Sequence, residues 1–494
     1  MSPFVILPRA LGRIGRAVLE NPARVVLTGF ALAVVVGTLL LMLPSATTAE
    51  GSAPFMVAVF TTVSAVCVTG LVTVDTATYW TPMGQAVILG LIQVGGLGVM
   101  TLATLLALLV RGRIRMRERL AAQAETHALN PGDVRAVLVR VLLTSLAIEA
   151  VIALALTARF RAAYDESLHV ALWHGVFHSV SAFNNAGFAL WSGNLVPAVA
   201  DLYLIGPITA GVVLGGLGFP VVAEIMRHGR GLRQRIAGRR AAGGYGLLEQ
   251  EADGAAPGSL SARTSMAHLR WSTHARLTMV GTVALLAIGT VTFLVFEWRN
   301  AGTLGPLAPW HKVLAAWANG GVFPRTAGFN SIDYGLIRPE TEAITTVLMF
   351  IGGGSAGTAG GIKVTTFLLL AYVIRAEVQG REHVVIGGRR IPQSTWRQAL
   401  TVALLGVGLV VTATIGILIL TRFSFDQVLF EVVSAFSTVG LSLGITSQMP
   451  PGAQVILMFM MFLGRVGPIT AASALALRTR RDLVRHPEER PIVG

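Results

Sequence analysis

SAVCVTGL (64–71), SAFNNAGF (181–188), VFPRTAGF (322–329) and SAFSTVGL (434–441) are four versions of one turn, aligned on Gly70, Gly187, Gly328 and Gly440. Three of them carry Ser-Ala six and five residues ahead of that glycine, at Ser64, Ser181 and Ser434. The turns close short apolar segments such as Phe55 to Val66 and Ala171 to Phe183, well below the roughly 20 residues that cross a bilayer as a helix. Four recurrences at equivalent points of the hydropathy pattern argue against ordinary helix-packing glycines. They predict re-entrant half-helices, each ending in a turn at membrane depth.

Long apolar segments flank every turn. The first helix of each unit is expected at 25–43, about 137–157, 277–296 and 399–420, and the second at about 83–110, 202–226, 343–374 and 453–477. The fold class is therefore an all-α polytopic membrane protein: four helix, re-entrant pore-loop, helix repeats, with eight transmembrane helices around one central pore. The units divide as residues 25–110 (repeat 1), 135–226 (repeat 2), 276–374 (repeat 3) and 398–478 (repeat 4). A cytoplasmic N-terminal segment (1–24), a cytoplasmic linker (227–275) and a cytoplasmic tail (479–494) complete the chain.

Composition supports a bilayer setting. Of 494 residues, 53% are hydrophobic and only 13% charged, with mean hydropathy +0.67, too few charges for an ordinary soluble protein. The net charge of +14 is unevenly placed. Segments 1–24, 111–140, 227–276, 375–397 and 478–494 hold 30 Lys/Arg against 12 Asp/Glu, while the intervening loops hold 7 against 11. This is the positive-inside pattern, which puts both termini and the basic connections in the cytoplasm and requires an even number of spans. It also removes the reason to read the charge as a nucleic-acid surface. Val25 to Leu43 exceeds the 7–15 apolar residues of a cleaved signal and reads as a span. The single cysteine, Cys67, excludes an intrachain disulfide and a cysteine metal cluster.

Non-helical backbone at membrane depth is tolerated where it is buried or lines a watery cavity, and bare carbonyls there replace the hydration shell of a cation. Four such turns around one axis supply rings of carbonyl oxygens. The candidate filter residues are Val66, Cys67, Val68, Thr69 and Gly70; Asn184, Asn185, Ala186 and Gly187; Arg325, Thr326, Ala327 and Gly328; and Ser437, Thr438, Val439 and Gly440. Half-helices entering from outside aim their negative dipole ends at the cavity, favouring a cation. Anion selectivity calls for rings of Lys or Arg. Arg325 is the one such residue in the turns, and it is read as holding its loop by hydrogen bonds to carbonyls.

A second constellation lies in the third unit. The run Gly352, Gly353, Gly354, Ser355, Ala356, Gly357, Thr358, Ala359, Gly360 and Gly361 interrupts its second helix and is followed by Lys363. A phosphate loop requires glycine next to lysine and a preceding strand, neither of which is present. The run reads instead as a gate below the filter, the plainer alternative being a packing kink. Lys363 and Arg465 are cations within spans, each costing about 2.5–3.5 kcal/mol to insert, so both require partners. Arg465 is either a cationic barrier or a hydrogen-bonding anchor for the loop carbonyls. Glu149 is a coupling-ion ligand or a structural hydrogen-bond partner. His178 and Asn184 are polar mouth residues or helix caps. The GGLG pairs at 95–98 and 215–218 allow close helix packing beside the pore.

These residues resemble the Trk/Ktr/HKT superfamily of potassium transporters, and the eight-span layout is most similar to its KtrB-type subunits. SAVCVTGL, SAFNNAGF, RTAGFNS, SAFSTVGL, GGGSAGTAGGIK and GRVGPIT carry the resemblance, which covers nearly the whole chain. It implies K+ as the transported ion, Na+ as a candidate activator that no residue set here decides, and a homodimer with one pore per subunit. It also implies a KtrA-like cytoplasmic ring that binds ATP or ADP in place of this chain, and location in a bacterial cytoplasmic membrane among its lipids. The alternatives are a less selective sodium or ammonium pathway and, more remotely, a membrane-bound enzyme. An enzyme calls for clustered acids or histidines at membrane depth, where only Glu149 and Glu224 stand within or at the end of spans.

Overall fold

The computed structural model describes residues 22–98, 131–229 and 271–477. The far end of the first unit's second helix (99–110), the centre of the linker at 227–275, most of the N-terminal segment and the tail at 479–494 lie outside the described residues.

Four helices open the four units: Pro22–Leu41, Pro131–Ala163, Thr273–Glu297 and Gln393–Leu420. Several begin a few residues ahead of the sequence boundaries, because Pro131 sits at a first helical position where its missing N–H costs nothing and Ser272 caps the Ala275 N–H at 3.1 Å. The outward faces stay apolar and exposed, as with Leu142, Leu146 and Leu154, or Val283, Ile288 and Val295. A helix apolar on its exposed face is solvated by hydrocarbon rather than water.

Inside this ring stand four short pore helices: Phe55–Val66, Leu168–Phe183, Pro309–Ala316 continued by a π-helical turn at Trp317–Val322, and Phe425–Phe436. The fourth starts in a capping box between Ser424 and Gln427. Second helices follow at Pro82–Gly98, Leu202–Leu217, Pro339–Phe350 and Pro451–Leu477. They close the ring. Leu202–Leu217 packs on the π-turn of the third unit, Pro339–Phe350 on the fourth pore helix, and Pro451–Leu477 on the first. Between units 1 and 2 the Trp173 Nε1 donates to Gln85 Oε1 at 2.9 Å.

Among the described residues, two second helices are broken. The third stops at Phe350 and resumes at Val364–Val378, as the glycine run predicts. The second was expected to be continuous over 202–226, and here the structure differs: Leu202–Leu217 and Phe219–Gly229 meet at 106°. Gly218 takes φ +87°, and Pro220 lacks the N–H that would carry the first helix's hydrogen-bond ladder onward. Among the described residues, three unbroken helices are long and apolar enough to span alone, and the bent pair makes a fourth. A two-stranded hairpin, Val385–Ile386 with Arg389–Arg390, turns on Gly387 and Gly388 between units 3 and 4, unanticipated from the sequence.

Candidate ion pathway

The four turns share one backbone course. After the pore helix comes a right-handed cap, Cys67, Asn184 or Ser437, followed by a left-handed residue: Val68 (φ 56°), Asn185 (60°) or Thr438 (50°). In the third turn Thr326 (66°) holds that place. Two residues on, Gly70, Gly187, Gly328 and Gly440 take φ 92°, 72°, 70° and 93°. Positive φ at a β-branched Val or Thr is a genuine outlier, held only where the surroundings impose it. Ser64, Ser181 and Ser434 impose part of it: their carbonyls accept from Thr69, Ala186 and Val439 N–H at 2.8, 2.7 and 2.8 Å. The hydroxyls of Ser64 and Ser434 also accept from Gly70 and Gly440 N–H, each at 3.1 Å. The third turn lacks that serine; its π-turn supplies a Phe323 N–H bond to Ala318 O at 2.8 Å instead.

The glycines meet in a ring. A Cβ on Gly70 would lie 2.4 Å from Ala186 O, on Gly187 2.5 Å from Gly328 Cα, on Gly328 2.7 Å from Val439 O, and on Gly440 2.1 Å from Thr69 O. No side chain fits at any of the four. Above the ring opens a cavity of about 460 Å³ lined by all four glycines together with Asp75, Asn194, Asn330, Asp333 and Ser442. The two carboxylates in its lining, Asp75 and Asp333, favour cations.

Below the ring lies the glycine run. A bridge pairs Ile351 with Ile362, and Gly352 N–H donates to Ile362 O at 2.7 Å and Val364 N–H to Gly353 O at 3.0 Å, making a closed neck. The loop crosses to the bent second helix through Gly354 N–H to Gly216 O (2.8 Å) and Thr358 N–H to Gly215 O (3.1 Å). Its tip presses on the turns: the Thr358 hydroxyl donates to Phe183 O at 3.2 Å, and a Cβ on Gly360 would lie 2.8 Å from Ser437 O.

The cations at this level donate to backbone carbonyls, although the Nε of Arg325 and of Arg465 is buried without a partner. Arg325 donates to Ile351 O at 2.7 Å and Gly352 O at 2.6 Å, tying the third turn to the neck. Arg465 donates to Thr358 O and to Gly95 O, the latter at 3.2 Å, and Lys363 to Ala359 O. Glu149 accepts from Gln93 Nε2 at 3.1 Å and from Asn184 Nδ2 at 3.1 Å, a network behind the second turn and away from the ring. His178 is buried rather than at the mouth, while Asn184 caps its pore helix.

Sequence reasoning missed a contact that three units share. A Cβ on Gly95, Gly215 or Gly464 would lie 1.9, 1.8 or 1.6 Å from the last pore-helix carbonyl of its unit, at Val66, Phe183 or Phe436. The second helices thus press directly on the backbone that ends each pore helix. The signal was present as a glycine in corresponding positions of those helices, read at Gly95 and Gly215 as general helix packing and at Gly464 not read at all.

With this arrangement in view, comparison with known proteins is decisive. Residues 25–237 and 267–481 match the TrkH family, described as cation transport protein. The chain belongs to this family. It is a membrane cation transporter, not an enzyme. Among TrkH-family relatives it is 36% identical to "Ktr system potassium uptake protein B" of Bacillus subtilis (strain 168), covering 96% of this chain and 97% of that one. It is 32% identical to the protein of the same name from Vibrio alginolyticus, covering 88% of each. "Potassium/sodium uptake protein NtpJ" of Enterococcus hirae is 30% identical, covering 96% of this chain and 97% of that one. The fold matches the crystal structure of the potassium transporter TrkH from Vibrio parahaemolyticus, with TM-score 0.64 over 91% of this chain and 85% of that one at 16% identity.

Proposed function

We propose that the chain is the potassium-translocating subunit of a Ktr-type uptake system, with the four glycine turns as its selectivity filter and residues 352–361 as its gate. The observation that carries this reading is the ring of Gly70, Gly187, Gly328 and Gly440, four positive-φ glycines packed against one another's backbone beside a cavity with acidic residues in its lining.

A K+ ion entering the cavity meets Asp75 and Asp333, then exchanges its waters for the carbonyls of the residues before the glycines, Thr69, Ala186, Ala327 and Val439. The pore helices end at the turns, adding their negative dipole ends. Directly beneath, the Gly352–Gly361 loop fills the path, held by Arg465 and the bent second helix. Release of those bonds opens the way inward. The relatives named as component B of a Ktr system support a second component, and we assign it to a KtrA-like, nucleotide-binding ring on the cytoplasmic side of a homodimer. The arginine distribution supports both termini inside, and the bacterial relatives support a bacterial cytoplasmic membrane as the location.

The test is growth at low potassium, with rubidium uptake, in a host lacking its own potassium importers, with and without a KtrA-like partner. Rescue supports the reading. Failure with the partner present and the chain in the membrane overturns it in favour of another cation, sodium first.

A further inference from the structure

Three fully buried side chains hold the chain just beyond the turns, and they occupy one and the same position of the repeat. Nine residues before the turn glycines (61 to 70, 178 to 187, 319 to 328, 431 to 440) stand Thr61, His178, Asn319 and Glu431. All are on pore helices and at most 1% exposed. His178 Nε2 accepts from Leu190 N–H at 3.3 Å, Asn319 Oδ1 from Ser331 N–H at 2.9 Å, and Glu431 Oε1 from Leu443 N–H at 3.2 Å. In every case the donor stands three residues after the glycine (187 to 190, 328 to 331, 440 to 443).

An imidazole, an amide and a carboxylate thus make one bond. What they share is an acceptor atom and the reach to deliver it. His178 Nδ1 lies 2.8 Å from His174 O, which assigns the ring hydrogen to Nδ1 and leaves Nε2 free to accept. Glu431 also takes the Thr446 hydroxyl at 2.9 Å and the Ser442 hydroxyl, and Asn319 Nδ2 donates to Ser331 Oγ at 2.7 Å. The first unit is the exception. Thr61 is too short to cross, and its hydroxyl and that of Thr73, three residues after Gly70, are both buried without a hydrogen-bond partner.

We infer that His178, Asn319 and Glu431 are positioning residues for ion selection. Each braces the outgoing arm of its turn against its own pore helix and so fixes the width of the carbonyl ring on three sides, the first turn being left unbraced. Carbonyl rings select by holding their oxygens where a dehydrated K+ is matched and a smaller ion is not. A buried N–H that loses its acceptor seeks another, and the arm moves with it. This inference rests on the filter reading above.

The test compares rubidium and sodium uptake by the full chain, expressed in the importer-deficient host, at matched membrane abundance. Glu431→Leu and Asn319→Leu are expected to lower the rubidium-to-sodium ratio roughly fivefold, the factor worth one hydrogen bond. Glu431→Gln keeps the acceptor oxygen and should keep the ratio. Glu431→Asp, one methylene shorter with the same charge, should lose selectivity as the leucine variant does, and decides the matter if the leucine variants do not reach the membrane. Thr61→Val, at the unbraced position, should leave the ratio unchanged. Wild-type ratios in the Leu or Asp variants, or an equal loss from Thr61→Val, overturn the brace. A wild-type chain without rubidium preference overturns the filter reading instead.

Discussion

Alanine at each of the four turn glycines separates backbone strain from collision, because the structure supplies both terms. All four sit at φ between 70° and 93°, where an L-residue costs about 1–2 kcal/mol. The collisions differ. At Gly440 the new methyl group starts 2.1 Å from Thr69 O, and at Gly328 2.7 Å from Val439 O, against 3.4 Å for ordinary contact. Gly440→Ala must therefore displace the first turn by more than an ångström, well over the roughly 0.5 Å tolerance of a binding constellation. Gly328→Ala asks about half as much. We expect the rubidium-to-sodium uptake ratio to fall in all four variants, most at Gly440, then Gly70 and Gly187, and least at Gly328. Gly51 is the control: it has φ +88° and nothing within 4 Å of a Cβ, so Gly51→Ala carries the strain without the collision. Its ratio should match the wild type. Wild-type selectivity in Gly440→Ala at normal membrane abundance, or a Gly51→Ala loss of equal size, would refute the ring as the selective element.

Arg465→Gln removes charge-assisted bonds to Thr358 O and Gly95 O, each worth about 1.5–3 kcal/mol, and should raise partner-independent rubidium uptake tenfold or more; unchanged or reduced uptake counts against the loop anchor. Deleting residues 354–360 should leave uptake less dependent on any cytoplasmic partner, measured with and without that partner. Gly218→Val places side-chain atoms about where Ser355 O now lies, 2.5 Å from a Cβ, at φ +87°; it should displace the loop and raise uptake, and a closed phenotype would show that the bend does not set the loop. Gly464→Ala drives a methyl to 1.6 Å from Phe436 O and should lower membrane abundance and melting temperature rather than alter selectivity alone.

The repeats were legible because four turns with one glycine each stand out against apolar sequence, and the first pore helix, Phe55–Val66, was bounded to the residue. Arg325 was legible as a cation holding carbonyls and Arg465 as one needing a partner, with a cationic barrier left open beside the carbonyl anchor; which carbonyls they meet depended on how distant segments come together. Gly218-Phe219-Pro220 was overlooked because the surrounding run is uniformly apolar and hydropathy does not register direction. Thr61, Asn319 and Glu431 escaped, and His178 was read as a mouth residue or helix cap, for a different reason. Their equivalence is one of reach and acceptor geometry, and four unlike side chains at one repeat position carry no common residue type.

If residues 352–361 are the gate proposed above, the bonds around residues 351–364 divide the loop into a fixed neck and a part free to move. Arg325 holds Ile351 O and Gly352 O, and the Ile351–Ile362 bridge with the Val364 N–H bond to Gly353 O closes the neck on itself. None of these bonds reaches the bent second helix. The contacts that do, from Gly354 and Thr358 to Gly216 and Gly215, together with Arg465 to Thr358 O, all lie beyond the neck. On the gate reading, the loop therefore swings about Gly353 and Gly361, breaking the second set together with the Phe219 N–H bond to Ala356 O and the Thr358 hydroxyl bond to Phe183 O. The guanidinium that steadies the third turn stays on the neck throughout. Opening then leaves the carbonyl ring in place, so a conducting state can remain selective while the path beneath it clears.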